Sequence, residues 1–102
     1  METRLQDVIE ECQRANLGYY DEFLAVDTTA GTLFLSTQSQ GNFRGNSVLS
    51  AVERALNFSE PLRRAMAHTT SAAGTKVWRE RGMEMSWHYH PDIGLNLSVL
   101  VL

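Results

Sequence analysis

The stretch KVWRERGMEMSWHYHPDIGLNLSVLVL, residues 76–102, decides the fold. Arg81-Gly82 is a two-residue hairpin signal between Lys76–Glu80 and Met83–Tyr89. It sets Trp78 opposite Met85, Lys76 opposite Trp87 and Arg79 opposite Glu84, the last a favourable cross-strand charge pair. Pro91-Asp92-Ile93-Gly94 has turn chemistry. With Tyr89 paired to Leu95, Trp87 stands opposite Leu97, Met85 opposite Val99 and Met83 opposite Val101. Every large apolar group then lies on one face, and a one-residue slip in either hairpin would scatter them. The prediction is a three-stranded antiparallel meander with a defined core side.

Working outward, residues 22–27 and 32–38 read as two more strands joined by the loop Thr28-Thr29-Ala30-Gly31. A four-residue loop sets Val26 opposite Leu33 and Leu24 opposite Leu35, with Phe23, Ala25 and Phe34 on the other side. Leu5, Val8, Ile9, Cys12 and Ala15 recur at helical spacing, which predicts a helix over residues 2–16 ended near Gly18. Residues 38–47 read as a polar, glycine-containing loop. Asn46 or Ser47 then caps a helix bearing Val48, Leu49, Val52, Ala55 and Leu56. Ser59-Glu60-Pro61 starts another helix, with Phe58 as a staple and Leu62, Ala65 and Met66 facing inward.

The expectation is an α+β domain spanning residues 1–102, in the order α-β-β-α-α-β-β-β. A single antiparallel sheet of about five strands carries helices packed on one face. Roadblock-type and profilin-like small domains have a comparable element order, at the level of topology alone.

Of the 102 residues, 43% are hydrophobic and 21% charged, a balance suited to a packed core and unlike a disordered chain. The single cysteine, Cys12, has no partner for an internal disulfide and falls on the apolar stripe of the first helix. No charged-then-apolar leader and no apolar run near 18 residues is visible, so a cytoplasmic protein is expected, away from membranes. The net charge of −3 is unevenly spread. Residues 1–27 carry seven acids (Glu2, Asp7, Glu10, Glu11, Asp21, Glu22, Asp27) against Arg4 and Arg14, a net −5. Residues 43–81 carry seven bases (Arg44, Arg54, Arg63, Arg64, Lys76, Arg79, Arg81) against Glu53, Glu60 and Glu80, a net +4. An acidic front and a basic middle suit a head-to-tail contact or an acidic partner.

Several patterns carry possible chemistry. His88 and His90 are two apart in a strand, so both imidazoles point to one side, beside Glu84, Ser86 and Asn96. They are weak metal candidates, because a metal site wants at least three supported ligands and nothing brings His68 near. The Gly41–Ser47 loop feeds a helix N-terminus, which favours anions. Asn42, Phe43, Arg44, Asn46 and Ser47 are the candidate ligand-binding residues, with Arg44 supplying charge and Phe43 a stacking surface. The segment matches neither the Walker nor the dinucleotide pattern, so no cofactor is implied. Gly-x-Ser-x-Gly is missing, and Glu84 and Asp92 have no evident carboxylate partner, so no catalytic set is expected. The sparse basic residues and a pI near 5.5 argue against nucleic acid.

The outer face of the sheet is the least ordinary feature. Phe23, Ala25, Phe34, Val77, Leu100 and Leu102 all point away from the side covered by helices, and apolar groups on an open strand face invite another chain. These residues define a candidate interface, with Phe23, Phe34, Val77, Leu100 and Leu102 as its apolar anchors. The leading expectation is a small non-enzymatic protein–protein interaction module, most simply a two-fold homodimer. Such a module would be an adaptor, a chaperone-like factor or an inhibitor of another protein, encoded as an accessory or phage factor. The alternatives are a small-ligand or anion sensor built on the Gly41–Ser47 loop and a metal-dependent enzyme at His88 and His90.

Overall fold

The computed structural model describes residues 3–39 and 41–102, without the side chain of Thr3. The start of the first helix at residue 2, and Gln40 in the loop, lie outside the described residues. Three helices and five strands follow the expected order: α1 (Thr3–Arg14), β1 (Leu24–Asp27), β2 (Thr32–Ser36), α2 (Phe43–Ala55), α3 (Glu60–Ala67), β3 (Lys76–Glu80), β4 (Met83–His90) and β5 (Gly94–Val101). One-turn 3₁₀ segments at Tyr20–Glu22 and Ser71–Ala73 complete the path.

The five strands form one open antiparallel sheet in the order β1-β2-β5-β4-β3. The meander register is as the sequence predicts: Trp78 pairs with Met85, Trp87 with Leu97, Tyr89 with Leu95 and Met83 with Val101. Arg81 and Gly82 both take positive φ, 53° and 74°, the geometry of the type I′ turn that matches strand twist. The first hairpin also keeps its expected register, with Leu24 opposite Leu35 and Val26 opposite Leu33. Its loop is held by Asp27, whose Oδ1 accepts from the backbone N–H groups of Thr29 and Ala30, each at 3.0 Å. Strand β2 then pairs with β5, Phe34 opposite Ser98 and Leu35 opposite Leu97, which joins hairpin to meander.

All three helices supply side chains to one core cluster. Leu5, Val8 and Cys12 of α1, Val48, Ala51 and Val52 of α2, and Leu62 and Met66 of α3 are buried with Leu33, Met85, Trp87, Leu97 and Val99 of the sheet. The indole of Trp87 is satisfied inside that core, donating to Thr69 Oγ1 at 2.8 Å.

Three local expectations change: the end of α1, the start of α2 and the entry to β1. Helix α1 is closed by Asn16, not Gly18: Asn16 takes φ 61° and the Leu17 N–H reaches back to Cys12 O at 2.8 Å. Helix α2 ends the same way, with Asn57 at φ 53° and the Phe58 N–H on Glu53 O at 3.0 Å. Asparagine tolerates the left-handed conformation, and the apolar residue after it packs back on the helix. Helix α2 starts at Phe43, because Asn42 and not Asn46 or Ser47 is its cap, its side chain accepting from Gly45 N at 3.0 Å. Gly45 marks a close approach and not a loop, since a Cβ there would stand 2.5 Å from Thr37 O. Finally, the chain before β1 turns through Tyr20–Glu22 instead of extending from residue 22, and this buries Phe23.

Candidate functional site

The side of the sheet away from the helices is uncovered, and the register arranges it in three rows. The middle row runs Ala25, Phe34, Ser98, Ser86, Val77 across all five strands. Beside it on one side runs Asp27, Thr32, Leu100, Glu84, Arg79. On the other side Ser36, Asn96 and His88 stand in line. The apolar members are strongly exposed: Phe34 by 56%, Val77 by 61% and Leu100 by 40%. Between them the small side chains of Ser86 and Ser98 leave a shallow concavity of about 490 Å³, bounded by Phe34, Asn96 and His88 and by Asp21 and Glu22 at one rim.

The two rims carry opposite charge. Asp21, Glu22 and Asp27 lie exposed at the β1 end, whereas Arg79 is the outward cation at the β3 end; Lys76, opposite Trp87, lies on the helix side. Arg79 also approaches Glu84 of its own sheet at 3.6 Å, the guanidinium exposed and the carboxylate half-buried, a contact worth at most about 1 kcal/mol.

The expected interface residues divide. Phe34, Val77 and Leu100 lie on this outer face, and Leu102 is exposed beyond the end of β5. Phe23 does not join them. It is 7% exposed, belongs to the core cluster and stacks edge-on against Tyr19 with ring centroids 6.1 Å apart. The short 3₁₀ turn before β1 breaks the alternation that would have sent its ring outward.

The expected ligand-binding residues lie on the first turns of α2, and several polar groups there serve the fold. The Asn42 side chain caps the helix, the Ser47 hydroxyl donates to Phe43 O at 2.9 Å, and the Arg44 guanidinium stacks 4.9 Å from the Tyr19 ring centre. Asn46 is exposed and continues the helix, and Phe43 is 81% exposed beside it.

His88 stands on the outer face opposite Asn96, and His90 accepts the Asp92 N–H on Nδ1 at 3.1 Å, which helps close the β4–β5 turn. Among the described residues no group of three or more His, Cys, Asp or Glu side chains is placed to hold a metal ion. His68 caps the C-terminus of α3, on the helix side of the sheet. No helix among the described residues is long and apolar enough to cross a membrane.

A second concavity, about 510 Å³, opens on the helix side between α2, α3 and the β4–β5 end, lined by Glu53, Arg63, Thr69, Tyr89 and Leu95. Burial pushes the Glu53 carboxyl above its usual range, against the pull of Arg63 and Arg54. The Tyr89 hydroxyl is buried here without a hydrogen-bond partner among the described residues.

The chain matches no known protein family, no curated protein and no solved structure.

Proposed function

We propose that this protein is a non-enzymatic protein–protein interaction module that works through the outer face of its sheet, as a dimeric adaptor, a chaperone-like factor or an inhibitor of another protein. The observation that carries this reading is the uncovered row Ala25, Phe34, Ser98, Ser86, Val77, with Leu100 beside it. Apolar groups clustered on one sheet face with charged rims resemble the core and rim of a contact surface, and covering them removes apolar area from water.

The test compares the wild type with Leu100→Lys, by light scattering and by pull-down from a cell extract. An association lost in the variant, with an unchanged melting curve, supports the reading. A strict monomer that retains no partner, or a partner retained equally by the variant, overturns it.

A further inference from the structure

The geometry points to a second copy of this chain as the occupant of the outer face, packed sheet on sheet about a two-fold axis that runs along β5. This rests on the interaction reading above and gives it one specific geometry. Such a rotation keeps each cross-strand row at its own height and reverses it, so that β1 lies over the partner's β3 and β2 over the partner's β4.

The rows are complementary to their own reversal. In the middle row Phe34, the largest outward side chain, stands over the partner's Ser86, where the serine leaves room for a ring. Ala25 stands over the partner's Val77, and Ser98 meets its own copy on the axis. In the next row Asp27 stands over the partner's Arg79 and Thr32 over the partner's Glu84, while Leu100 meets Leu100 of the partner subunit. In the third row Ser36 stands over the partner's His88 and Asn96 over its own copy. Large thus meets small, acid meets base, and hydrogen-bonding groups meet each other.

The charged rims choose between the two axes that could stack these faces. The axis along β5 sets Asp27 over the partner's Arg79, and does so twice. A two-fold axis across the strands would instead lay the acidic β1 end over its own copy and leave Asp27 without a cation opposite it, which is costly at close range. Sheets stacked with strands nearly aligned lie about 10 Å apart and tolerate a rotation of about 30° from twist. Five strands at about 4.8 Å and three outward residues at about 6.8 Å give a face of about 24 by 20 Å. With side-chain relief that is about 700 Å² per copy, so the pair buries about 1,400 Å², within the range of stable specific interfaces.

The test is an exchange of bulk between Phe34 and Ser86, read by sedimentation equilibrium with thermal melts as the check on folding. Both positions lie on the uncovered face, so neither substitution touches the core. The wild type is expected to sediment as a dimer. Phe34→Ser removes the ring, and Ser86→Phe opposes ring to ring; each is expected to weaken self-association at least tenfold. The double variant restores large over small and is expected to return to within about threefold of the wild type. Ser98→Cys, treated with a short bis-maleimide, is expected to give a covalent dimer through the axis, while Arg64→Cys on α3 gives none and the buried Cys12 does not react. A dimer indifferent to both single variants is built elsewhere, the free edge of β3 included, and overturns the pairing. So does a double variant that folds but stays monomeric. A wild-type monomer that captures another protein through Leu100 also overturns the pairing, while leaving the interaction reading intact.

Discussion

The carboxylate of Glu80, at the end of β3, caps helix α3 by holding Ser59 at two points. The Ser59 N–H donates to Oε2 at 2.9 Å and the Ser59 hydroxyl donates to Oε1 at 2.5 Å. The same hydroxyl accepts the Leu62 N–H at 3.3 Å. In a local capping box the acid sits at the third helical position, which here is Leu62. The acid comes instead from 21 residues away, and the Trp78 indole steadies it by donating to Oε1 at 3.0 Å.

Burial alone would raise the Glu80 pKa. The hydrogen bonds from Ser59 and Trp78, with the charge of Arg81, outweigh it and hold the carboxyl below its usual range. A depressed folded-state pKa stabilises the fold above the unfolded pKa, about 4.3, and that stability is lost as pH falls through the folded value. Glu80→Gln is therefore expected to cost about 1–2 kcal/mol at pH 7. Its denaturation curve should converge on the wild type toward pH 3, and urea titrations at both pH values check this.

Gly94 is required for two reasons at once. Its φ is 74°, and a Cβ would stand 2.2 Å from Thr37 Oγ1, the atom that accepts the Leu95 N–H at 3.0 Å. Gly94→Ala is expected to destabilise by more than about 2 kcal/mol. Gly18→Ala, where a Cβ meets nothing within 4 Å, should stay within about 0.5 kcal/mol of the wild type. Parallel thermal melts of the two variants make the comparison.

Tyr89 carries a hydroxyl buried without a hydrogen-bond partner among the described residues. Removing such a group recovers its desolvation cost. Tyr89→Phe should stabilise by about 1 kcal/mol, a rise in Tm of about 4–8 °C for a chain of this size. An unchanged or lowered Tm would mean that water enters the helix-side concavity and satisfies the oxygen.

Cys12 is fully buried, and burial, with Glu11 beside it, pushes its thiol pKa up against the opposing charge of Arg54. The thiolate is the reactive form, so Cys12 should resist thiol reagents in the native state at pH 8. Modification should follow the rate at which the chain opens, and full reactivity should appear in denaturant.

The two hairpins were legible from sequence because each has a turn signal at one end and alternation on both sides of it. Arg81-Gly82 and Thr28–Gly31 set the phase, and Trp78, Met85, Trp87 and Leu97 confirm it by landing on one face. The same register correctly exposes Phe34, Val77 and Leu100. What was misread lies where alternation stops. Phe23 precedes β1 and follows a 3₁₀ turn, so period-two counting does not reach it. Gly45 reads as a loop residue and so sets the expected start of α2 too late, when its role is contact with Thr37, 8 residues earlier. Asn16 closes α1 where a glycine at residue 18 is expected, and Asn57 closes α2, for which the sequence reading names no terminator; each is followed by an apolar residue, a signal that local sequence does carry. The bond between Glu80 and Ser59 depends on how a strand end meets a helix start, which no local pattern encodes. On the outer face, alternation turns Phe34, Val77 and Leu100 outward, but the order of the rows across all five strands needed the pairing of β2 with β5.

That pairing also constrains how the molecule is made. Strand β5 follows every other strand in the chain, yet it sits at the centre of the sheet and is the sole bridge between the β1–β2 hairpin and the β3–β4 pair. During synthesis, β2 has no neighbour on its inner edge until residues 94–101 leave the ribosome. Two-stranded pairs are marginal in water by themselves, so the five-stranded sheet can close only when residues 94–101 are added between its two halves.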